Sequence, residues 1–301
     1  MERHVHVAER VAGAAAVVAL ETNVLAHGLP APALRTAVIC ATADSRLAGA
    51  EPALIGVLDG RIVVGIEDED LYRLAGGHED AHRPEPWKVA ARDLPFVLAR
   101  GLDGATTVSA TAAVAEAVGI QVMATGGIGG VHPGGLDISA DLPQLTRVRT
   151  VIVCSGPKHV VDPAATSEWL ETHGVMVLGY QTAHLPAFLA PGWLQLEHTA
   201  DSVAEVADVV RAHRALKAPG AIVVVQNPPG DAAMDPDELI ELSAAATAAA
   251  SKAGVRGKGR TPFELDWLAR RTGGRSLAAN LALLEANAGL AGEIAAALAG
   301  L

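Results

Sequence analysis

Residues capable of covalent and acid–base chemistry follow closely on apolar, strand-like segments. Glu21 comes directly after Val-Val-Ala-Leu, and Lys158 lies four residues beyond the segment Val-Ile-Val-Cys. Ligands of open α/β sheets bind outside the carboxyl ends of the strands, so we expect both to face one crevice, together with Thr125, Ser155 and Asn227. A lysine amine can add to a carbonyl carbon to form a Schiff base, and a glutamate can transfer the proton.

Lysine usage favours a catalytic lysine. The chain has five lysines among 23 basic residues, so arginine supplies most of its cations. Burial beside a strand end lowers the pKa of a lysine amine and makes the neutral nucleophile available, which favours catalysis over a structural role for Lys158. Lys217 and Lys252 are near predicted helix ends, where the helix dipole favours solvated cations.

A glycine-rich segment, Thr125–Asp141, reads TGGIGGVHPGGLDISAD and contains six glycines in seventeen residues. Glycine permits positive φ angles and a close approach of the backbone to a ligand. The segment lies between two apolar runs, Ile120–Ala124 and Val148–Val153, which predicts a ligand-binding loop between two strands rather than a solvated linker. Its polar side chains are those of His132, Asp137, Ser139 and Asp141.

The carboxylates Asp137 and Asp141 are four positions apart, around Ser139. Oxygen ligands in a loop suit Mn²⁺ or Mg²⁺ better than zinc, and one carboxylate completed by waters is a common arrangement. The alternative is that Asp141 or Ser139 caps a helix. For Asp137 the residues alone leave both interpretations open.

Composition excludes several classes of protein. The net charge is −11, and no cluster of lysine and arginine marks a nucleic-acid surface. The apolar run Val11–Leu20 is too short for a transmembrane helix and lacks a signal-peptide cleavage pattern. The two cysteines, Cys40 and Cys154, stand in apolar surroundings that fit a reducing compartment. We therefore expect a soluble cytoplasmic protein, folded as one domain over residues 1–301.

Strands and helices mostly alternate in the predicted order of elements, which indicates an α/β fold with helices on both faces of a sheet and a helical C-terminal segment. Asp59-Gly60 predicts a hairpin, and Thr261-Pro262-Phe263-Glu264 a capping box. Ser276 is expected to cap the last helix. The predicted strands are the end of Val11–Leu20, Ala53–Leu58, Arg61–Ile66, Ile120–Ala124, Val148–Val153, Val175–Leu178 and Ala221–Val225. The predicted helices are Ala33–Leu47, Asp68–Leu74 closed by Gly76-Gly77, Leu94–Arg100, Ser109–Val118, Ala164–Thr172, Ser202–Leu216, Asp235–Ala253, one from Thr261 to Gly273-Gly274, and one from Ser276 towards Leu298.

Ordered motifs along nearly the whole chain resemble those of the pseudouridine-5'-phosphate glycosidases. They are Ala19–Thr22, His27–Pro30, Lys88-Val89, Arg92–Pro95, Gly104–Val108, Thr125–His132, Asp137–Leu142, Lys158, Thr261–Phe263 and Gly273–Leu277.

The resemblance implies a three-layer α/β/α protein, a homotrimer, that uses Mn²⁺ (or Mg²⁺). The implied reaction is cleavage of the C–C glycosidic bond of pseudouridine 5'-phosphate to uracil and ribose 5-phosphate. Matching motifs imply Glu21 as proton donor, Lys158 as nucleophile and Asp137 as metal ligand. The implied substrate contacts are Lys88, Val108, His132, Ser139, Ala140, Asp141 and Asn280.

The chain departs from the family pattern in three places. It has Glu21-Thr22-Asn23 where Glu-Ser-Thr is expected, and it has His159 after Lys158 where a small residue is usual. The segment between His132 and Asp137 is also shorter. These departures concern the part of the pocket that holds the base.

Two further interpretations follow. One is a C-glycosynthase that attaches ribose 5-phosphate to an aromatic polyketide acceptor in antibiotic biosynthesis, as in alnumycin-type C-ribosylation. The other is a catalytically silent sugar-phosphate-binding protein. Retention of Glu21, Lys88, Asp137 and Lys158 together argues against the second, because a binding protein needs neither the amine nor the acid.

Overall fold

The fold is organised around an 11-stranded sheet with helices on both faces. The computed structural model describes residues 4–24, 38, 41–75, 85–255 and 259–300. The strands of this part of the chain are β1 Val5–Val7, β2 Val17–Glu21, β3 Glu51–Leu58, β4 Arg61–Val64, β5 Trp87–Val89, β6 Gly104–Thr106, β7 Val122–Ala124, β8 Val151–Cys154, β9 Met176–Tyr180, β10 His184–Leu185, β11 Leu194–Gln195, β12 His198–Ala200 and β13 Ile222–Val225.

The helices are of very different lengths. They are α1 Glu9–Ala12, α2 Asp68–Leu74, α3 Leu94–Ala99, α4 Val108–Val118, α5 Asp141–Leu145, α6 Pro163–Thr172, α7 Val203–Ala215, α8 Pro236–Lys252, α9 Arg260–Arg271 and α10 Arg275–Ala299, with a 3₁₀ turn at Ala91–Asp93. Residues 41–47 are also helical.

The sheet is mixed but mostly parallel. Its strand order is β1-β4-β3-β2-β7-β8-β13-β9-β12, and β6 joins β5 to β3. Only the pairs of β3 with β4 and with β6 are antiparallel in this sheet, as far as the described residues extend. Strands β10 and β11 form a separate two-stranded ladder. The expected largely parallel or mixed central sheet is confirmed.

The register brings three strand ends to one edge of the sheet. Leu20 of β2 pairs with Ala124 of β7, and Ala124 pairs with Val153 of β8. Since all three strands are parallel, the residues that follow them emerge on the same side. Glu21, the last residue of β2, therefore lies beside the start of the glycine-rich segment.

Alternating side chains of each strand enter two separate cores, one on each face of the sheet. On β2, Val18 and Leu20 belong to the core that α10 covers, whereas Ala19 belongs to the core that α4 covers. Helix α10 is apolar and long enough to span a membrane, but half of its apolar window is buried, and the helix packs on β2, β7 and β8. It is thus a core helix of this fold, and the three-layer α/β/α architecture is confirmed.

Most predicted elements are present with small shifts of their ends. Asp59 and Gly60 have φ angles of 48° and 70° and connect antiparallel β3 and β4, as the Asp-Gly signal predicts. Ser202 and Asp235 cap α7 and α8 through their side chains. The predictions for residues 33–37, 39–40 and Gly76-Gly77 lie outside the described residues.

Two predicted caps are wrong. Helix α9 begins at Arg260 rather than after Thr261, because the Glu264 carboxylate accepts hydrogen bonds from Arg260 and Thr247 instead of the cap backbone. Helix α10 begins after Gly274, and Ser276 lies inside it with its hydroxyl bonded to Thr272.

Candidate active site

A cavity of about 250 Å³ opens at the carboxyl ends of β2, β7 and β8. The catalytic, metal and substrate-contact residues implied by the family resemblance all line this cavity except Val108. The Val108 side chain is buried in the core below α4. The lining residues are therefore Glu21, Lys88, His132, Asp137, Ser139, Ala140, Asp141, Lys158 and Asn280. Motifs up to 260 residues apart in sequence meet here, and the predicted crevice at the strand ends exists.

Glu21 is a buried acid at the end of β2, with 4% of its surface exposed. The Thr125 hydroxyl donates a hydrogen bond to its Oε1, and its Oε2 has no protein partner among the described residues. Burial raises the pKa of Glu21, while the charge of Lys158 and the Thr125 hydrogen bond oppose the shift. Burial prevails, so the protonated carboxyl is more stable here than in an exposed glutamate, and Oε2 is the oxygen without a hydrogen bond in the described part of the chain.

Lys158 reaches the cavity from a turn that is bonded to the glycine-rich segment. Its backbone amide donates to the Ile128 carbonyl at 2.9 Å, and its own carbonyl accepts from Val161 at 3.1 Å. Gly156 makes this turn possible, because its φ of 81° is unfavourable for other residues and an added Cβ would clash with the Pro186 carbonyl. The backbone thus fixes the base of the lysine side chain, which is half-buried.

His159 follows Lys158 but does not provide a second acid. Its ring stacks on Phe188, with centroids 5.7 Å apart, and both ring nitrogens are buried without a hydrogen-bond partner in the described part of the chain. Burial, assisted by the charge of Lys158, lowers the pKa of His159 to about 3. The imidazole therefore stays neutral near pH 7 and has no proton to donate.

Close packing, more than unusual backbone angles, explains the glycines of the loop. Gly134 and Gly135 have positive φ angles, as expected, but the four glycines from 126 to 130 do not. An added Cβ on Gly129 would lie 2.5 Å from the Ser139 Cβ and 2.9 Å from the Asp141 Oδ2. The absence of a side chain at this position lets the Ser139–Asp141 turn approach the loop backbone.

The Asp141 carboxylate holds two backbone segments together, a structural role that differs from the role of a metal ligand. Its Oδ1 accepts from the Ser109 amide at 3.0 Å, and its Oδ2 accepts from the Gly129 amide at 2.9 Å. It therefore bonds the first turn of α4 and the glycine loop rather than capping α5, which follows Ala140. Ser139 accepts from the Asp141 amide at 3.2 Å. The alternative that Asp141 caps a helix is thus wrong for α5, the helix that Asp141 begins. It is correct for α4, because the Asp141 carboxylate accepts from an amide in the first turn of that helix.

One part of the cavity carries positive charge. Lys88 of β5 and Arg92 of the 3₁₀ turn line it, beside Thr107, which precedes the first turn of α4. Backbone amides at the start of an eleven-residue helix favour anions. Val108 contributes only its backbone to this region, since its side chain is 1% exposed. Arg92 stood in a motif of the sequence but was not expected in the site.

Another part of the cavity is neutral. Asn280 of α10 is 3% exposed, and an added Cβ on Gly126 would lie 3.4 Å from its Oδ1. Phe188, buried with a φ of 64°, and Leu265 of α9 complete this wall. No sequence motif marks Phe188, whose position depends on a contact with Gly127 across the fold.

Three strand-end residues expected in the crevice do not line it: Thr125, which bonds Glu21 from behind the cavity wall, Ser155 and Asn227. The Ser155 hydroxyl is buried against Asn287 of α10, and the Asn227 amide lies 3.4 Å from the Thr182 hydroxyl, outside the cavity. Asn287 is a buried residue that the sequence analysis missed, because it lies in an alanine-rich helix without a motif. Its amide donates to the Thr125 carbonyl at 2.9 Å and accepts from Gln226 at 2.9 Å.

The donor set is compatible with a hard divalent ion only if water supplies most of the ligands. No group of three or more His, Cys, Asp or Glu side chains suited to a metal occurs in residues 4–24, 38, 41–75, 85–255 and 259–300. The Asp137 side chain is exposed at the cavity, whereas the Asp141 oxygens are occupied by backbone amides. The oxygen chemistry of Asp137 fits Mg²⁺ or Mn²⁺, which retain several waters.

Residues 6–297 match the family of indigoidine synthase A like proteins. The chain is 47% identical to a pseudouridine-5'-phosphate glycosidase of Gemmatimonas aurantiaca, over 94% of this chain and 92% of the relative. A protein of the same name from Myxococcus xanthus is 45% identical, over 94% of this chain and 93% of its own.

Two solved structures share the fold. An indigoidine synthase A-like protein of Thermotoga maritima is 37% identical with a TM-score of 0.86, covering 94% of this chain and 93% of its own. The prealnumycin C-glycosynthase AlnA, solved in complex with ribulose 5-phosphate, is 34% identical with a TM-score of 0.87, covering 98% and 97%. These similarities identify the chain as an enzyme of the C-glycosidase and C-glycosynthase class. The chain belongs to the indigoidine synthase A-like family, which includes the pseudouridine-5'-phosphate glycosidases.

Proposed function

We propose that the chain reversibly cleaves the C–C bond of pseudouridine 5'-phosphate, giving uracil and ribose 5-phosphate through a Schiff base on Lys158. The observation that carries the proposal is the presence of a buried acid, Glu21, and an amine, Lys158, in the same cavity. The names of the curated relatives and the sugar phosphate bound to AlnA support it.

The chemistry explains why an amine is needed. A pair of carboxylates cleaves ordinary glycosides by protonating the leaving oxygen, but here the leaving atom is carbon. A covalent adduct with nitrogen solves this problem, because the nitrogen lone pair can expel a carbon leaving group.

In the first step, Glu21 Oε2 gives its proton to the ribose ring oxygen as the bond from that oxygen to C1' breaks. The electron pair of this bond stays on the oxygen, and C1' becomes conjugated with the base. The neutral Lys158 amine then adds to C1', forming the C–N bond. The extra proton on nitrogen returns to the Glu21 carboxylate, which is again an acid.

In the second step, the base carbon attached to C1' takes up the proton that Glu21 regained, and Glu21 recovers a proton when water later hydrolyses the iminium. The lone pair of Lys158 nitrogen forms a double bond to C1', and the electrons of the broken C–C bond restore the base ring. Water then adds to C1' and the C–N bond breaks, which releases ribose 5-phosphate as the aldehyde and restores the amine. The net change is the addition of one water across the C–C bond.

We assign the phosphate to the positively charged part of the cavity. Lys88 would pair with it, and the backbone at Val108 and the turn of Ser139, Ala140 and Asp141 would contact its oxygens. His132 and Asn280 would contact the remaining polar groups of the substrate. The buried Nδ1 of His132 has no protein partner among the described residues, which is consistent with this role.

Asp137 would hold the divalent ion, Mn²⁺ or Mg²⁺, through one carboxylate oxygen, with waters as the other ligands. An ion bound there would supply positive charge that holds the anionic substrate in place. No proton transfer in the steps above depends on it.

A second candidate is C-glycosynthesis, in which the reverse reaction attaches ribose 5-phosphate to an aromatic polyketide acceptor in antibiotic biosynthesis. Its specific support is the AlnA structure, which matches 98% of this chain. Of the departures from the family pattern, Asn23 lines the cavity and so concerns the group attached to C1', whereas His159 stacks on Phe188 and does not line it. Pseudouridine 5'-phosphate remains the first candidate because the curated relatives carry that name at higher identity.

We also propose a cytoplasmic homotrimer without membrane or nucleic-acid partners. The acidic charge of −11 supports the exclusion of nucleic acid. The trimer follows from family resemblance alone, and multi-angle light scattering at several protein concentrations tests it.

The deciding experiment incubates the protein and Mn²⁺ with pseudouridine 5'-phosphate and measures free uracil by chromatography. We expect uracil release at a rate proportional to enzyme concentration. Absence of uracil, with ribose 5-phosphate still forming a reducible adduct on Lys158, would overturn the glycosidase proposal in favour of C-glycosynthesis.

A further inference from the structure

Asn23 places a buried, unpaired carboxamide oxygen in the active-site cavity. Only 9% of the residue is exposed, and its Oδ1 makes no hydrogen bond within the described part of the chain. A buried acceptor without a partner costs about 1–3 kcal/mol, so such groups in folded proteins are usually completed by a ligand or water.

The local backbone aims Asn23 and Glu21 into the same space. Glu21 ends β2, and Asn23 lies two residues further on, in helical conformation. Thr22 between them is fully buried, and its hydroxyl donates to the Ile55 carbonyl at 2.7 Å. Both Glu21 and Asn23 line the cavity, whereas Thr22 does not. Asn23 is therefore within the region where the reacting group is held.

A second unpaired amide oxygen lies in the same cavity. Asn280 is 3% exposed, and its Oδ1 is also buried without a protein partner in the described ranges. The neighbour of Asn23, Val24, lines a smaller void together with Leu284, one turn beyond Asn280 on α10. Both carboxamides thus belong to the side of the cavity formed by α10.

This side is distinct from the phosphate-binding part. Along the glycine loop, Gly126 approaches Asn280, whereas Gly129 approaches Ser139 and Asp141. Lys158 is bonded to Ile128, between these two positions. A substrate that places its phosphate at the Ser139 turn and C1' at Lys158 then directs its base towards the carboxamides.

We infer that Asn23 is a specificity-determining residue that accepts a hydrogen bond from a ring N–H of the base. This inference rests on the proposed function and defines the ligand class as a flat cyclic amide or imide. A carboxamide offers an acceptor and two donors, which match the adjacent N–H and C=O groups of such a ring. A polyketide ring without N–H would leave the Asn23 oxygen unpaired, which the site penalises.

The test compares the wild-type enzyme, Asn23→Ala and Asn227→Ala, using pseudouridine 5'-phosphate and its N1-methyl and N3-methyl derivatives. Asn227→Ala is the matched control, because that carboxamide also follows a strand but lies outside the cavity. We expect the wild type to discriminate against one methylated substrate by about tenfold or more in kcat/KM. Asn23→Ala should lose about tenfold on the unmethylated substrate and on the tolerated derivative, which keeps the same N–H, but not on the derivative that the wild type discriminates against.

Borohydride trapping of ribose 5-phosphate on Lys158 separates folding from recognition, since Asn23→Ala should keep the wild-type trapping rate. Equal losses on all three substrates, or a trapping defect as large as the kcat/KM defect, would overturn the role of Asn23 while leaving the glycosidase function intact. If the wild type neither releases uracil nor binds it in calorimetry with ribose 5-phosphate present, the proposed function and this inference both fail.

Discussion

The Thr125 hydroxyl donates a hydrogen bond to Oε1 of Glu21, across the boundary between β7 and β2. This bond stabilises the ionised carboxylate and opposes the effect of burial on the pKa of Glu21. It also leaves Oε2 as the carboxylate oxygen without a protein partner among the described residues. Thr125 is in turn held through its carbonyl by Asn287 of α10.

Replacing Thr125 by Val should raise the pKa of Glu21 further, because the side chain keeps its shape but loses the donor. If Glu21 acts as an acid, activity falls as pH rises through its pKa, so the basic limb of the kcat/KM profile should move to higher pH. Thr125→Ser retains the hydroxyl and serves as the control. A basic limb that stays at the same pH in Thr125→Val would assign that limb to another group.

Burial of Glu21 also predicts a stability effect with a definite sign. Its folded-state pKa lies above the unfolded value of about 4.3, so the contribution of Glu21 is fully present below that pH and is lost as pH rises through the raised pKa. Glu21→Gln has no charge to bury, and its Tm should exceed that of the wild type more at about pH 8 than at about pH 4.

Differential scanning calorimetry at the two pH values measures this difference. The exposed Glu241→Gln is the matched control and should show no such dependence. If the Tm of Glu21→Gln differs from that of the wild type no more than the Tm of Glu241→Gln does, at both pH values, then Glu21 is ionised in the folded protein at little cost in stability.

Lys158→Arg should abolish turnover although it keeps the positive charge, because a guanidinium is not a usable nucleophile at neutral pH. We expect a loss of about 10⁴-fold or more in kcat and no adduct after borohydride reduction with ribose 5-phosphate. Lys252→Arg, at the end of α8, should behave as the wild type in both assays. Mass spectrometry that locates the sugar on a different lysine would contradict the mechanism.

Asp137→Asn should weaken binding of Mn²⁺ by at least about tenfold, since the ion would lose its charged protein ligand. The electron paramagnetic resonance signal of free Mn²⁺ reports binding without any need for activity. Asp231→Asn removes an exposed carboxylate outside the cavity and should leave the affinity unchanged. Full activity of the wild type in excess chelator would show that no ion is required.

Gly129→Ala should disrupt the Ser139–Asp141 turn, because the added Cβ would overlap the Ser139 Cβ and crowd the Asp141 Oδ2. Overpacking of this kind costs about 1–3 kcal/mol, and we expect KM for the phosphorylated substrate to rise by tenfold or more. Gly230→Ala is a suitable control, since nothing lies within 4 Å of its added Cβ. An unchanged KM in Gly129→Ala would mean that the turn moves without loss of binding.

Local sequence signals predicted the fold and the position of Glu21 and Lys158 in one cavity. Glu21 could be located because it ends a buried strand. Lys158 could be located because lysine is rare in this chain and because this lysine follows a second buried strand, β8. Such signals fail where the structure depends on distant partners. The Glu264 carboxylate bonds Arg260 and Thr247 rather than the Thr261 backbone, so the sequence pattern of a capping box was misleading.

The remaining errors have the same physical origin. Asn227 and Glu21 both follow strands, but only strand order decides which strand ends border the cavity, and that order is set by tertiary pairing. Phe188 and Asn287 carry no motif. Phe188 lines the cavity beside Gly127, and Asn287 supports the cavity from the core through the Thr125 carbonyl. Their roles could not be inferred from neighbours in the chain.

The position of α10 has a consequence for how the enzyme is made. Helix Arg275–Ala299 supplies Asn280 to the cavity and Asn287 to the carbonyl that follows β7, yet the ribosome synthesises it after every strand of the sheet. A nascent chain can therefore pair its strands while the loop of Thr125 is still without its Asn287 partner. A chain whose synthesis stops before residue 275 lacks both the Asn280 wall of the cavity and the Asn287 bond to the Thr125 carbonyl.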